Sequence, residues 1–203
     1  MTNSFTRCRT TVGVFLLLAA GAVIRAAGPP APLIQNSRVT VWDIAPGGAA
    51  PATSPSRDVV AILIRGQQAD VRFEATGAPH APLPADTRSI VVELQDATVA
   101  PLANTSGYPL AFPRPGSRKL LENQRVVVWD FAWTPGVATP MHFHDKDVVV
   151  TYLAEGALTS TDARGQSVVN EHHYGFTKFN ARDRVHTETL ARGEGRAVMI
   201  ELK

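Results

Sequence analysis

The chain of 203 residues has a single cysteine, Cys8, so it can build neither an intramolecular disulfide framework nor a multi-cysteine metal site. It also lacks an excess of either charge, with 20 Lys and Arg against 18 Asp and Glu. That balance argues against a dedicated nucleic-acid binder. No Gly-x-Gly-x-x-Gly, phosphate-binding loop or Gly-x-Ser-x-Gly occurs, so nucleotide binding and a serine-hydrolase elbow are without their usual marks. Long helical periodicity is absent as well. What is present is 44% hydrophobic residues, enough for a core, together with 15 Gly and 15 Pro, the composition of a globular chain rich in turns.

The N-terminus stands apart. Arg7 and Arg9 precede an apolar run from Val12 to Ile24, which has the length of a signal h-region and is short for a membrane span. Cleavage is expected after Ala22 or Ala26, and residues 1–26 are assigned as a signal peptide. That segment carries Arg7, Arg9 and Arg25 and no acid, so the remainder holds 17 basic and 18 acidic residues, a net charge of −1. The mature chain is free of cysteine, which suits an oxidising compartment. A periplasmic or secreted location follows as an expectation, with no stable membrane span after cleavage.

Comparing the chain with itself reveals a repeat. Val39-Thr-Val-Trp42-Asp-Ile-Ala returns as Val126-Val-Val-Trp129-Asp-Phe-Ala, Arg57-Asp58-Val-Val as Lys146-Asp147-Val-Val, and Arg88-Ser-Ile-Val-Val-Glu93-Leu94 as Arg196-Ala-Val-Met-Ile-Glu201-Leu202. The offset grows from 87 residues at the tryptophans to 108 at the last match, so the second copy carries 21 extra residues. Short apolar, β-branched runs between Gly and Pro turns read as strands in both copies. The division expected is a first unit over 33–100, a Pro- and Gly-rich linker over 101–124 and a second unit over 125–203. Within the linker, Ser117 to Gln124 is a candidate for one or two helical turns. The fold class is all-β, two antiparallel barrels or sandwiches made from equivalent units. Trp42, Trp129 and Trp133 are expected as core anchors.

His142-Phe143-His144 places two imidazoles at i and i+2, on one face of a strand and able to chelate one metal ion. The frame around them is Gly136, five residues, His142-x-His144 and Gly156, followed by Gly175, five residues, Ala181-x-Asp183-x-x-His186. This resembles the two-part signature of the cupin superfamily, G-x5-H-x-H-x3-4-E-x6-G and G-x5-P-x-G-x2-H-x3-N. The resemblance implies a double-stranded β-helix or jelly-roll barrel whose metal ligands are His142, His144 and His186. Through the repeat, the first unit becomes a degenerate cupin-like copy. Departures from the signature are Val149 or Val148 at the glutamate, Ala181 for proline, Asp183 for glycine and Leu190 for asparagine. Asp tolerates positive φ, so Asp183 can keep the turn.

Without the glutamate, three neutral nitrogens suit Fe, Zn, Ni or Cu better than Mn. Glu188, two residues after His186, shares its strand face and is the candidate catalytic group, as replacement ligand, hydrogen-bond acceptor or general base. Asp147 recurs as Asp58 in the copy without the histidine pair, which favours a structural role. Asp145 is expected in a solvated loop and Phe143 pointing outward; of the adjacent His172 and His173, which face opposite sides of a strand, at most one can enter the barrel, and surface placement is the simpler expectation. His80 is the nearest counterpart of His186 in the first copy, where Thr53 and Pro55 replace the chelating pair.

The resemblance implies a divalent transition-metal protein that takes a small organic ligand, with dioxygenase or isomerase chemistry as its enzymatic forms. A non-catalytic ligand-binding or structural cupin, its three histidines buried without metal, is the competing expectation. Edge strands favour a homodimer, although the two copies could satisfy each other within one chain.

Overall fold

The computed structural model describes residues 29–95 and 99–203, so the signal peptide assigned to 1–26 lies outside the described residues. Within them all regular structure is β, and the strands pair antiparallel. The first unit forms one sheet from β1 (Ile34–Gln35), β2 (Val39–Ile44), β3 (Val59–Arg65), β4 (Gln68–Glu74) and β5 (Arg88–Leu94), in the order β1-β2-β5-β3-β4.

The second unit forms two. Its five-stranded sheet has the order β12-β9-β14-β7-β6, from β6 (Ser117–Glu122), β7 (Val126–Ala132), β9 (Asp147–Tyr152), β12 (Thr177–Asn180) and β14 (Arg196–Leu202). A four-stranded sheet, ordered β11-β10-β13-β8, adds β8 (His142–His144), β10 (Gly156–Asp162), β11 (Ser167–His172) and β13 (Arg184–Gly193).

The internal repeat survives as register. Trp42 lies opposite Val91 as Trp129 lies opposite Met199, and Val60 faces Val92 as Val149 faces Ile200. An ion pair recurs with the strands: Arg88 binds Asp43, and Arg196 binds Asp130 at 2.8 Å. The two five-stranded sheets are therefore one pattern used twice.

The first unit differs from the barrel expected of it. Among the described residues it has no counterpart of the four-stranded sheet, and the segments that would supply one carry Pro46, Pro51 and Pro55, then Pro79, Pro82 and Pro84. Proline donates no ladder hydrogen bond, so such segments do not extend a sheet. Most of the second copy's extra residues fall between β9 and β14, where three of the four strands of that layer lie.

Alternation along the strands divides the apolar residues between two cores. Val126, Val128, Val149, Val198, Ile200 and Leu202 meet Val39, Val41, Val60, Ile62, Ile90 and Val92 of the first unit. From the opposite face, Val127, Trp129, Phe131, Val148, Val150 and Met199 fill the barrel between the second unit's two sheets. A sheet buried on both faces explains why β7, β9 and β14 read as continuous apolar runs. Trp129 and Trp133 are buried in the barrel core, and Trp42 is buried in a smaller cluster with Ile44, Val59 and Val91 on the first unit's sheet, as expected of anchors.

Ser117 to Gln124 departs from the helical expectation, because β6 pairs along β7 from Ser117 opposite Phe131 to Glu122 opposite Val127. Pairing with an available edge outweighs a weak local helical preference. Gly175 shows how closely the units meet: at φ +79°, a Cβ there would lie 2.1 Å from the Arg88 guanidinium carbon.

Candidate metal centre

β8 and β13 bring the three histidines together, with His186 directly opposite His142 across the ladder. His142 and His144 share one strand face, as the i, i+2 spacing requires. Their Nε2 atoms are 3.2 Å apart, and His144 Nε2 lies 3.1 Å from His186 Nε2. One ligating atom from each of the three falls within 4.8 Å of the other two, and among the described residues no carboxylate joins that group. The turn before β13 is held by Asp183 at φ 65°, whose N–H donates to His144 O at 2.9 Å. Asp183 thus does the work of the signature's glycine.

The rings are oriented by their other nitrogens. His142 Nδ1 lies 2.8 Å from the Pro140 carbonyl, to which only an N–H can donate, so its Nε2 carries a lone pair. His186 Nδ1 lies 3.1 Å from the Ser160 hydroxyl. His144 Nδ1 is buried with no hydrogen-bond partner. Burial, with Arg114 adding repulsion, lowers His142 to a pKa of about 3. Burial and Arg184 lower His186 to about 3, and burial takes His144 well below the ordinary histidine range.

Three neutral imidazoles with converging nitrogens suit a metal. For bonds of about 2.1 Å, adjacent ligand nitrogens sit about 3 Å apart in octahedral and somewhat further in tetrahedral geometry, close to the separations seen. The residues present therefore fit a divalent transition-metal ion.

Val148 takes the interior place where the signature has glutamate: it lines the cavity beside the histidines, whereas Val149 packs against the first unit. Glu188 lines the same cavity, and its Oε2 accepts from Trp133 Nε1 at 3.2 Å and Arg114 Nη2 at 3.3 Å. Arg114 Nη1 lies against His142 Nε2. Sequence spacing alone missed Arg114, which belongs to the segment read as a linker. Its flanking prolines, Pro113 and Pro115, mark a rigid approach but say nothing about where it leads.

Other expectations need correcting. Asp145 is buried rather than solvated and pairs with Lys146 at 2.8 Å. Phe143 points away from the cavity but is also buried, because residues 109–111 bond to its backbone: its N–H donates to Pro109 O at 2.8 Å. His172 is buried too, stacked on Tyr152 with ring centroids 4.3 Å apart, while His173 stays exposed. Asp147 pairs with Arg38 at 3.1 Å, the structural role its recurrence suggested. His80 bonds Glu74 in the first unit.

The cavity beyond the histidines has a volume of 230 Å³, room for about eight waters at ~30 Å³ each. Its apolar wall includes Val148, Val150 and Met199. An outer groove of 570 Å³ shares Ser160, Val168, Arg184 and His186 with it, so these residues mark the way in.

No family model matches the sequence, and no curated protein does. Solved structures do. A cupin 2 conserved barrel domain protein from Leptotrichia buccalis superposes with a TM-score of 0.51 at 11% identity, covering 90% of this chain and 92% of that one. A cupin domain from Bordetella pertussis Tohama I is 29% identical over 45% of this chain and 97% of its own, with a TM-score of 0.40. With its antiparallel sheets and a superposition over 90% of its length, this protein has the fold of the cupin superfamily.

Proposed function

We propose that this protein is a secreted or periplasmic metal-binding cupin whose second barrel holds one divalent transition-metal ion, Fe, Zn, Ni or Cu, on His142, His144 and His186 and handles a small organic ligand. The observation that carries this is the convergence of three Nε2 atoms at 3.1–3.2 Å steps. When bound, such a metal supplies Lewis acidity to a chelating ligand and, if redox-active, electron transfer.

The chain's own groups act around it. Pro140 and Ser160 hold the ring nitrogens opposite the site, which maintains ligand orientation. Glu188 Oε2 is engaged by Trp133 and Arg114, and Oε1 is the side of this carboxylate available to accept a proton from a ligand. The Tyr152 phenol, pushed above its usual range by burial, lines the cavity as a protonated group able to donate to a ligand. Val148, Val150 and Met199 limit water on the other wall. Dioxygenase and isomerase chemistry both fit a chelating ligand beside one carboxylate base.

A non-catalytic cupin is the second reading. Arg114 Nη1 against His142 Nε2 favours it, because that donor satisfies the nitrogen without a metal. Metal analysis separates the two. The full chain, purified without a histidine tag and equilibrated with each metal, is expected to retain close to one equivalent. The His142→Ala/His144→Ala variant is expected to retain little. Less than about a tenth of an equivalent in the wild type under metal-replete conditions overturns the metal reading.

A further inference from the structure

The cavity holds more positive charge than its own acids balance. Arg114, Lys178 and Arg184 line it, with Glu188 as the carboxylate among them. Glu188 is engaged by Arg114 at 3.3 Å. Arg184 donates from Nε to Ala181 O at 2.6 Å, and the Lys178 ammonium sits 5.7 Å from the centre of the Tyr152 ring. Neither makes an ion pair with a carboxylate among the described residues. Both side chains are half-buried. The acid whose charge acts on both, Glu188, is already paired with Arg114; partly buried cations without an ion-pair partner of their own are costly, and here two share one small cavity with three neutral imidazoles.

Position adds a second observation. Arg184 lines both the outer groove and the inner cavity, so an incoming molecule passes its guanidinium. Asn170 and Asn180 also line the cavity with Val148, Val150 and Met199, and across the β12–β9 ladder Asn180 stands beside Val148 and Lys178 beside Val150. Such a lining suits a molecule with a charged end and a short carbon skeleton. A planar guanidinium fork matches a carboxylate and a lysine adds a point charge.

We infer that the ligand of this cavity is a small organic carboxylate, held at its charged end by Arg184 and Lys178. This rests on the cavity being the ligand site of the proposed function, but not on a metal being bound. The volume of 230 Å³ lies below the 300–1,000 Å³ of drug-sized sites, which restricts the skeleton to a few carbons or one ring.

The test is calorimetric titration of the full chain with malonate, succinate and benzoate, each against its neutral amide, and with inorganic phosphate. Both chelator-treated and zinc-loaded protein are used. At least one acid is expected to bind about tenfold or more tighter than its amide, equivalent to ~1.4 kcal/mol, and tighter than phosphate. The Lys178→Gln/Arg184→Gln variant is expected to lose that preference while keeping the wild-type zinc content. Arg184→Lys alone, which retains the charge, is expected to keep most of it and guards against a folding defect in the double variant.

Equal binding of every acid and its amide overturns the inference, as does phosphate binding at least as tightly as the best acid. Retention of wild-type preference by the double variant also overturns it. Because binding is read in chelator-treated protein too, loss of zinc without loss of acid preference counts against the metal alone.

Discussion

Arg38 Nε lies 3.1 Å from Asp147 Oδ2, and Arg125 Nη1 lies 3.0 Å from Asp58 Oδ2. Under the repeat, Arg38 corresponds to Arg125 and Asp58 to Asp147, so each unit's arginine reaches the other unit's aspartate. The same exchange recurs at the backbone: Arg38 donates to Lys203 O at 3.3 Å, and Arg125 donates to Gln95 O at 2.8 Å. This is the reciprocity of a two-fold interface, contained here in one chain. The first unit's main office is to cover the outer face of the sheet whose inner face lines the site.

The two pairs should differ in weight. Arg38 and Asp147 side chains are 8% and 10% exposed, whereas Arg125 is 32% exposed. Asp147→Asn is expected to cost about 3 kcal/mol, since it removes the carboxylate of a buried pair, and Asp58→Asn ~1 kcal/mol. Urea unfolding of the two variants checks this; equal losses would contradict the ranking.

Restoring the signature's acid should discriminate between two adjacent valines. Val148→Glu points a carboxylate at the histidines and is expected to lower metal-free stability by about 2 kcal/mol or more while tightening zinc or manganese binding at least tenfold. Val149→Glu places the same charge in the core between the units and is expected to prevent folding. Thermal melts with and without metal would show rescue of the first variant only.

Acid should destabilise the metal-free protein through the histidines. Folded-state pKa values of about 3 for His142 and His186 lie below the unfolded value of about 6.5, so the unfolded chain binds more protons between those limits. Stability therefore rises with pH in that window, is fully present above about 6.5, and is lost as pH falls toward 3. The slope is up to ~1.4 kcal/mol per pH unit for each histidine. His186→Ala should flatten the acid limb in a pH series of denaturant melts; an unchanged slope would refute the assignment. Metal affinity should fall in the same direction, because protons compete for the ligands.

Glu188→Gln is expected to leave metal content near that of the wild type, because no carboxylate lies within the three-histidine group. Stability should fall by about 3 kcal/mol, because Arg114, with a side chain 4% exposed, is left as a buried cation without its partner. Loss of metal in this variant would instead make Glu188 a ligand. Metal analysis and urea melts on the same preparation decide it.

The sequence by itself determined the central strands of each unit, their duplication and the histidine trio. These depend on local information: apolar, β-branched runs between Gly and Pro turns, and His142-x-His144 spaced so that one strand face must carry both rings. Even Asp183 was readable, because its positive φ is a property of the turn. Only the tertiary structure decided that the first copy stays one sheet, and that Val148 rather than Val149 faces the site. It also decided the surroundings of the histidines. Arg114 arrives from the connecting segment, and Lys178 and Arg184 from β12 and β13. In sequence they look like any exposed basic residue. Their charge acquires chemical meaning only when distant strands close around it and remove the water, since desolvation and the approach of partners far apart in the chain leave no local pattern.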